Sequence, residues 1–185
     1  LALGMGAATA ADVTDARLLA AGSEAEAGNW LTHHRTYDSH RFSPLTEINQ
    51  DTAKGLKLAF AVPLGGWEPS ELTVPAMQAT PLADGGFLYV TDGWGAIYKI
   101  DARSGERGRV VWKADFDVEH ELMVIPVNRG VALWNNLVIS NLLDGRVVAV
   151  DDATGEIVWE KQVAKGAGEG FTGAPLIADG KLIVG

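Results

Sequence analysis

The sequence contains no cysteine among its 185 residues. This excludes a disulfide framework, a thiolate zinc site and a lipid-modified N-terminal cysteine. The chain also has no cluster of Lys or Arg, and its formal net charge is −9 at pH 7. Because a phosphate backbone or an anionic membrane is bound by a basic face, we expect neither as a partner. No apolar run is long enough to predict a transmembrane segment.

The two ends of the chain differ from its middle in composition. Residues 1–11 are small, apolar and uncharged, and Ala8-Thr9-Ala10 fits the small-x-small rule for signal cleavage. We therefore predict a signal-peptide remnant over residues 1–11 and one domain over residues 12–185; a merely Ala-rich terminus is the alternative. Residues 181–185 stop within a strand pattern, so we expect a fragment of a longer protein.

A unit of short strands occurs twice and then begins again. In the first copy, β-branched and aromatic runs are separated by turns rich in Gly and Asp, which is typical of strands. Leu88, Leu137 and Leu182 open corresponding strands, so successive copies are 49 and 45 residues apart. A period in the forties with about four strands is typical of a β-propeller blade, which must stack on neighbours. We predict an all-β propeller chain with an opening segment, about two blades and the start of a third.

The second copy contains the pattern AxDxxTGxxxW over residues 149–159. It resembles the tryptophan-docking motif of quinoprotein propellers, in which the Trp, here Trp159, packs between adjacent blades. The first copy is degenerate, because Ser104 stands in place of the Thr and extra residues precede Trp112. The motif also occurs in propellers without a cofactor, so alone it indicates only contact between blades.

The opening segment carries a more specific pattern. Trp30 is followed by RFSPLTEIN at residues 41–49 and by an apolar run over residues 56–62. This order resembles the N-terminal part of pyrroloquinoline-quinone (PQQ) dependent alcohol dehydrogenases, where it precedes the strand that closes the ring. The resemblance implies a periplasmic enzyme that oxidises a small alcohol by hydride transfer to PQQ beside Ca²⁺ or a lanthanide ion. Its electrons would pass to a cytochrome c.

The resemblance also implies which residues contact the cofactor. Arg129, in VNRG at residues 127–130, matches an arginine that approaches the cofactor oxygens, and a guanidinium offers charged, forked donors. Thr172 matches a threonine that bonds a carboxylate, and Gln78 stands where the family often has Glu. The alternatives are a surface arginine, a threonine that begins a strand and a glutamine that lines a blade.

One position departs from the family pattern. Many members carry adjacent cysteines five and six residues before that arginine, whereas this chain has Met123 and Val124. No disulfide can form there, although Met123 could pack on the quinone face because thioethers favour aromatic contacts. The departure places the methanol dehydrogenase subgroup and the substrate in doubt.

The family's catalytic base and metal ligands come from later blades, so we expect them beyond Gly185. We therefore assign no catalytic or metal-binding residue here, and we expect the chain alone to be inactive. The four histidines, among them His33 and His34, lack metal-ligand spacing and are predicted on surface loops. The tryptophans are predicted to pack blades, with Trp67 and Trp94 alternatively bordering a substrate entrance.

Two other functions remain open. A non-catalytic scaffold of the outer-membrane assembly type shares the Trp motif, but it normally has a lipobox cysteine and lacks the RFSPL and NRG patterns. A membrane-bound sugar-oxidising relative would need several transmembrane helices before the propeller, and only a signal-like stretch is present.

Overall fold

A computed structural model describes residues 12–69, 74–118, 126–166 and 169–185. The described residues form one α-helix and twelve short strands. The helix is α1 (Asp15–Leu19), and single 3₁₀ turns lie at Glu24–Glu26 and Ala53–Gly55. The strands are β1 (Ala76–Met77), β2 (Leu82–Asp84), β3 (Phe87–Thr91), β4 (Ile97–Asp101), β5 (Arg109–Ala114), β6 (Val127–Asn128), β7 (Val131–Trp134), β8 (Leu137–Asn141), β9 (Arg146–Asp151), β10 (Ile157–Gln162), β11 (Leu176–Ala178) and β12 (Lys181–Ile183).

Two antiparallel sheets of four strands follow each other along the chain. Strands β2–β5 form the first sheet and β7–β10 the second, each in sequential order, and β11 and β12 begin a third. In the turn between β3 and β4, the Asp92 carboxylate accepts hydrogen bonds from the backbone amides of Trp94 and Ala96. These sheets confirm the prediction of about two blades and the start of a third.

The two complete sheets share one apolar core. Buried apolar residues from both belong to the same cluster, including Leu82 and Ile97 of the first and Val138 and Val148 of the second. Because each sheet buries apolar residues against the next, neither would be stable as an isolated unit.

The docked tryptophan is Trp112, in the degenerate copy of the motif. Its indole nitrogen donates to the backbone oxygen of Asp152 at 2.9 Å. A Cβ on Gly155 would lie 2.7 Å from the ring, so glycine allows the indole to lie against this turn. Trp159, for which we expected this role, is 37% exposed. The described part of the third sheet has only two strands and offers no equivalent turn to receive it.

The N-terminal segment packs against the first strands of the sheets. The backbone of Trp30 forms an isolated antiparallel β-bridge with Ala83 of β2, and Leu31 is buried in the shared core. Arg17 of α1 donates to both Glu26 and Asp84, with distances of 2.7 Å to each partner. This pairing folds the segment back after α1.

Residues 56–69 run along the first sheet, on the side that carries the small cluster of Val90 and Tyr98. Val62 and Leu64 pack on the small cluster that contains Val90 and Tyr98, and residues 56–69 include no strand in the described structure. Several apolar residues between positions 42 and 58 are exposed, namely Phe42, Leu45, Ile48, Leu56 and Leu58. Within the described ranges, no helix combines the length and apolar character that crossing a membrane requires.

Candidate functional site

Three segments that lead into the first strands of successive sheets lie side by side. Strand β1 pairs in parallel with β6, with Met77 opposite Asn128. The backbone amide of Thr80 donates to the oxygen of Arg129 at 3.1 Å, and the amide of Arg129 donates to the oxygen of Thr172 at 3.1 Å. The blade repeat therefore brings the segments of Gln78, Arg129 and Thr172 together, although they are far apart in sequence.

Arg129 and Thr172 are also joined through their side chains. The Nη1 atom of Arg129 donates to Oγ1 of Thr172 at 2.6 Å and to its backbone oxygen at 3.3 Å. Arg129 is exposed, and its guanidinium makes no ion pair within the described residues. A charged fork thus remains available beside a hydroxyl that can itself donate.

Of the other two predicted site residues, Gln78 alone lies within the described structure. Gln78 is exposed on the neighbouring segment, and no hydrogen bond joins it to Arg129 or Thr172 in the described part of the chain. Met123 lies outside the described residues, and its contact with the cofactor stays a prediction.

Asn128 is a residue of this site that the sequence analysis used only as part of a motif. It is fully buried, and its Oδ1 atom accepts from Oγ1 of Thr91 at 2.8 Å and from the amide of Gly130 at 2.9 Å. Its Nδ2 atom donates to the backbone oxygen of Asn141 at 2.8 Å and to Oγ of Ser140 at 3.3 Å. The available signal was an asparagine directly before Arg129, in a stretch that is otherwise mostly apolar from residue 125 to 134.

A cavity of about 310 Å³ lies between the N-terminal segment and the third of these lead-in segments. Its wall is formed by Thr32, His33, His34, Thr36, Tyr37, Ser39, Arg129, Gly173, Ala174, Pro175 and Leu176. The Tyr37 hydroxyl donates to the backbone oxygen of Ile177 at 2.6 Å, which fixes the segment against β11. Burial, with the nearby His34 and Arg41, lowers the pKa of His33 and favours its neutral form. The two histidines lie in a loop, as predicted, and this loop borders the cavity.

A second cavity, of about 370 Å³, lies near the turn between β3 and β4. Trp94 lines it, is 5% exposed and donates from its indole nitrogen to the backbone oxygen of Glu68 at 2.8 Å. Burial raises the pKa of Asp92, which also borders this cavity. Trp67 is 73% exposed. In the described ranges, no three His, Cys, Asp or Glu residues are grouped to hold a metal ion.

The donors beside the first cavity suit an anion that carries a carboxylate. Arg129 provides a planar, permanently charged donor, and Thr172 provides a hydroxyl at hydrogen-bond distance from it. Gly130 has a φ of 126°, and a Cβ there would lie 3.2 Å from the backbone oxygen of Thr80. The backbone beside Arg129 is therefore closely packed, which holds the guanidinium at the rim of the cavity.

A family model described as PQQ glucose/ethanol/alcohol dehydrogenase, β-propeller domain, matches residues 30–161. Among curated proteins, the chain is 36% identical over 184 residues to quinohemoprotein alcohol dehydrogenase ADH IIB from Pseudomonas putida, covering 97% of the chain and 25% of the relative. It is also 36% identical over 174 residues to 1-butanol dehydrogenase (cytochrome c) from Thauera butanivorans, covering 91% of the chain and 24% of that protein. The chain thus spans about a quarter of the length of these relatives.

Two solved structures are similar to this chain over more than nine-tenths of its length. The structure of quinohemoprotein alcohol dehydrogenase ADHIIG from Pseudomonas putida HK5 is similar with a TM-score of 0.81 and 32% identity, over 96% of this chain and 25% of that one. A europium-containing methanol dehydrogenase is similar with a TM-score of 0.77 and 27% identity, over 91% of this chain and 29% of that one. The sheets described above therefore correspond to blades of a propeller.

Proposed function

Because the chain belongs to the PQQ family of glucose/ethanol/alcohol dehydrogenase β-propeller domains, we propose that it forms part of an enzyme that oxidises alcohols with PQQ. One observation carries the proposal: the fold places Arg129, which lines a cavity, beside Thr172, with 2.6 Å between Nη1 of Arg129 and Oγ1 of Thr172. These are the residues that the family pattern assigns to the cofactor, and only folding brings them into contact. The names of the relatives support an alcohol as the substrate class.

Arg129 and Thr172 each have a defined role in the proposed binding of the cofactor. When bound, PQQ supplies a two-electron acceptor for the oxidation of the alcohol. Arg129 binds cofactor oxygens through charge-assisted hydrogen bonds, which are stronger than those from neutral donors. Thr172 accepts from Nη1 of Arg129 and so fixes the orientation of the guanidinium, while its own hydroxyl hydrogen is able to donate to a carboxylate.

Gln78 and the N-terminal segment complete the part of the site that this chain provides. A neutral amide at Gln78 can hydrogen-bond the cofactor without adding negative charge beside its carboxylates. The segment that carries His33, His34 and Tyr37 closes one side of the cavity and restricts the entrance of water. Exclusion of water strengthens every electrostatic contact in such a site.

The metal ion, the electron acceptor and the location belong to the same proposal. A metal ion beside the cofactor is supported by the similarity to a europium-containing methanol dehydrogenase, and its ligands would come from parts of the protein outside this chain. A cytochrome c as acceptor is supported by the name of the Thauera butanivorans relative. Location in the periplasm rests on the signal-like composition of residues 1–11.

The test uses the full-length protein, purified without cofactor and then supplied with PQQ and either Ca²⁺ or La³⁺. We expect primary or secondary alcohols to reduce an artificial electron acceptor only when both PQQ and a metal ion are present. A folded full-length protein that binds no PQQ and oxidises no alcohol would contradict the proposal and favour the scaffold function.

A further inference from the structure

We infer that Asn128 is the positioning residue of this site and fixes the backbone that presents Arg129 to the cofactor. The inference rests on the proposed function, because it assigns a role in PQQ binding to a residue that cannot touch PQQ. Asn128 is fully buried, whereas Arg129 next to it is exposed. Two neighbouring residues thus have separate tasks, one inside the protein and one at the rim of the cavity.

The side-chain amide of Asn128 uses its whole hydrogen-bonding capacity. An asparagine amide has two acceptor positions on oxygen and two donor hydrogens on nitrogen. Here the oxygen accepts from Thr91 and from the amide of Gly130, and the nitrogen donates to Ser140 and to the backbone of Asn141. No other common side chain of this size offers two acceptors and two donors in one plane.

These four bonds tie together three different parts of the fold. Thr91 ends β3 of the first sheet, Ser140 and Asn141 end β8 of the second, and Gly130 belongs to the segment between them. The amide therefore sets the position of residues 128–130 relative to both blades. Arg129 has no backbone freedom left, because its own amide and oxygen are bonded to Thr172 and Thr80.

The next blade repeats part of the arrangement. Asn141, which ends β8 as Thr91 ends β3, donates from Nδ2 to the backbone oxygen of Gly173 at 3.1 Å, beside Thr172. The second strand of each sheet thus holds the segment that leads into the following sheet. Asn141 is less completely bonded, because its buried Oδ1 has no partner in the described structure. The segment that carries Arg129 is therefore held by more side-chain hydrogen bonds than the segment that carries Thr172.

Replacing Asn128 distinguishes positioning from general stability. Asn128→Ala leaves the Thr91 hydroxyl and the Gly130 amide without the acceptor that they share, and buried unpaired groups of this kind drive local rearrangement. Because small displacements of a binding group are costly, we expect at least about tenfold weaker PQQ binding in the full-length protein. We also expect faster hydrogen exchange at the Gly130 amide in the cofactor-free protein.

A milder variant and a control complete the experiment. Thr91→Val keeps the shape but removes the donor to Asn128, so it should change both readouts in the same direction and by less; it decides the question if Asn128→Ala does not fold. Asn136→Ala is the matched control, because Asn136 is exposed and, in the described structure, its side chain hydrogen-bonds Asp151 alone. It should leave PQQ affinity and Gly130 exchange unchanged.

Each remaining outcome has a separate meaning. Unchanged PQQ affinity in folded Asn128→Ala and Thr91→Val proteins would overturn the inference, even if Gly130 exchanged faster, because Asn128 would then serve stability alone. Failure of the unaltered full-length protein to bind PQQ would instead overturn the proposed function.

Discussion

At the scale of single residues, Arg129 carries the charge on which the proposed site depends. Its guanidinium contacts only Thr172 among the described residues and keeps further donors for a ligand. Loss of a hydrogen bond to a charged group costs about 1.5–3 kcal/mol. We therefore expect Arg129→Ala in the full-length protein to weaken PQQ binding by about ten- to a hundredfold, measured by titration of the cofactor-free protein.

Two further variants make this prediction specific. Arg129→Lys should recover part of the affinity, because an ammonium keeps the charge but not the planar fork. Arg103→Ala is the control, since Arg103 is exposed in a turn and pairs with Asp101 at 2.7 Å. Surface pairs of this kind contribute little, and the control should bind PQQ like the parent. Equal affinity of Arg129→Ala and Arg103→Ala would remove Arg129 from the cofactor site.

The sequence predicted some of these residues and missed others for a physical reason. Arg129 and Thr172 each lie in a short sequence pattern that can be recognised without the structure. The structure brings the two residues together as expected. Asn128 acts through four partners spread over three segments, which no local pattern contains. His33 and His34 border the cavity only because their segment packs against distant residues.

At the scale of elements, the contact between the first two blades depends on a buried ion pair. The Nζ atom of Lys99 on β4 lies 2.7 Å from the carboxylate of Asp152, and their side chains are 3% and 12% exposed. The hydroxyl of Tyr89 donates to the other carboxylate oxygen at 2.6 Å, and Trp112 donates to the backbone of the same aspartate. Asp152 follows β9, so these bonds join the blades directly.

We predict that Lys99→Met lowers the free energy of unfolding of the full-length protein by about 3–5 kcal/mol, because it leaves a buried carboxylate without its cation. Denaturant unfolding measures the change. Lys181→Met is the control, since the pair of Lys181 with Asp179 is largely exposed and should contribute no more than about 1 kcal/mol. Similar losses in the two variants would show that the ion pair between Lys99 and Asp152 does not hold the two blades together.

The sequence predicted the order of these elements better than their contacts. Repeats of short apolar runs and Gly/Asp turns predicted both sheets, because each strand and turn is determined by nearby residues. Tryptophans were expected to pack between blades, and Trp112 of the first copy does so on the turn of the second copy. Docking of Trp159 stays a prediction, because only two strands of the following sheet are described. Docking depends on which blade lies opposite, and a motif within one blade does not contain that information.

At the scale of the whole molecule, the site exists because successive blades present corresponding segments to one another. The backbones of Thr80, Arg129 and Thr172 are bonded in that order, one from each repeat. The repeat in the sequence predicted this architecture. The cavity beside it could not be predicted, since it arises where the N-terminal segment meets the third repeat, as in the bond from Tyr37 to Ile177 across 140 residues.

The most direct test of the central claim is a structure of the full-length protein with bound PQQ. We expect an Arg129 guanidinium nitrogen within about 3 Å of a cofactor oxygen, the Thr172 hydroxyl hydrogen-bonded to a carboxylate of the cofactor, and Asn128 buried without touching it. PQQ bound elsewhere, with Arg129 and Thr172 bonded only to each other, would contradict it.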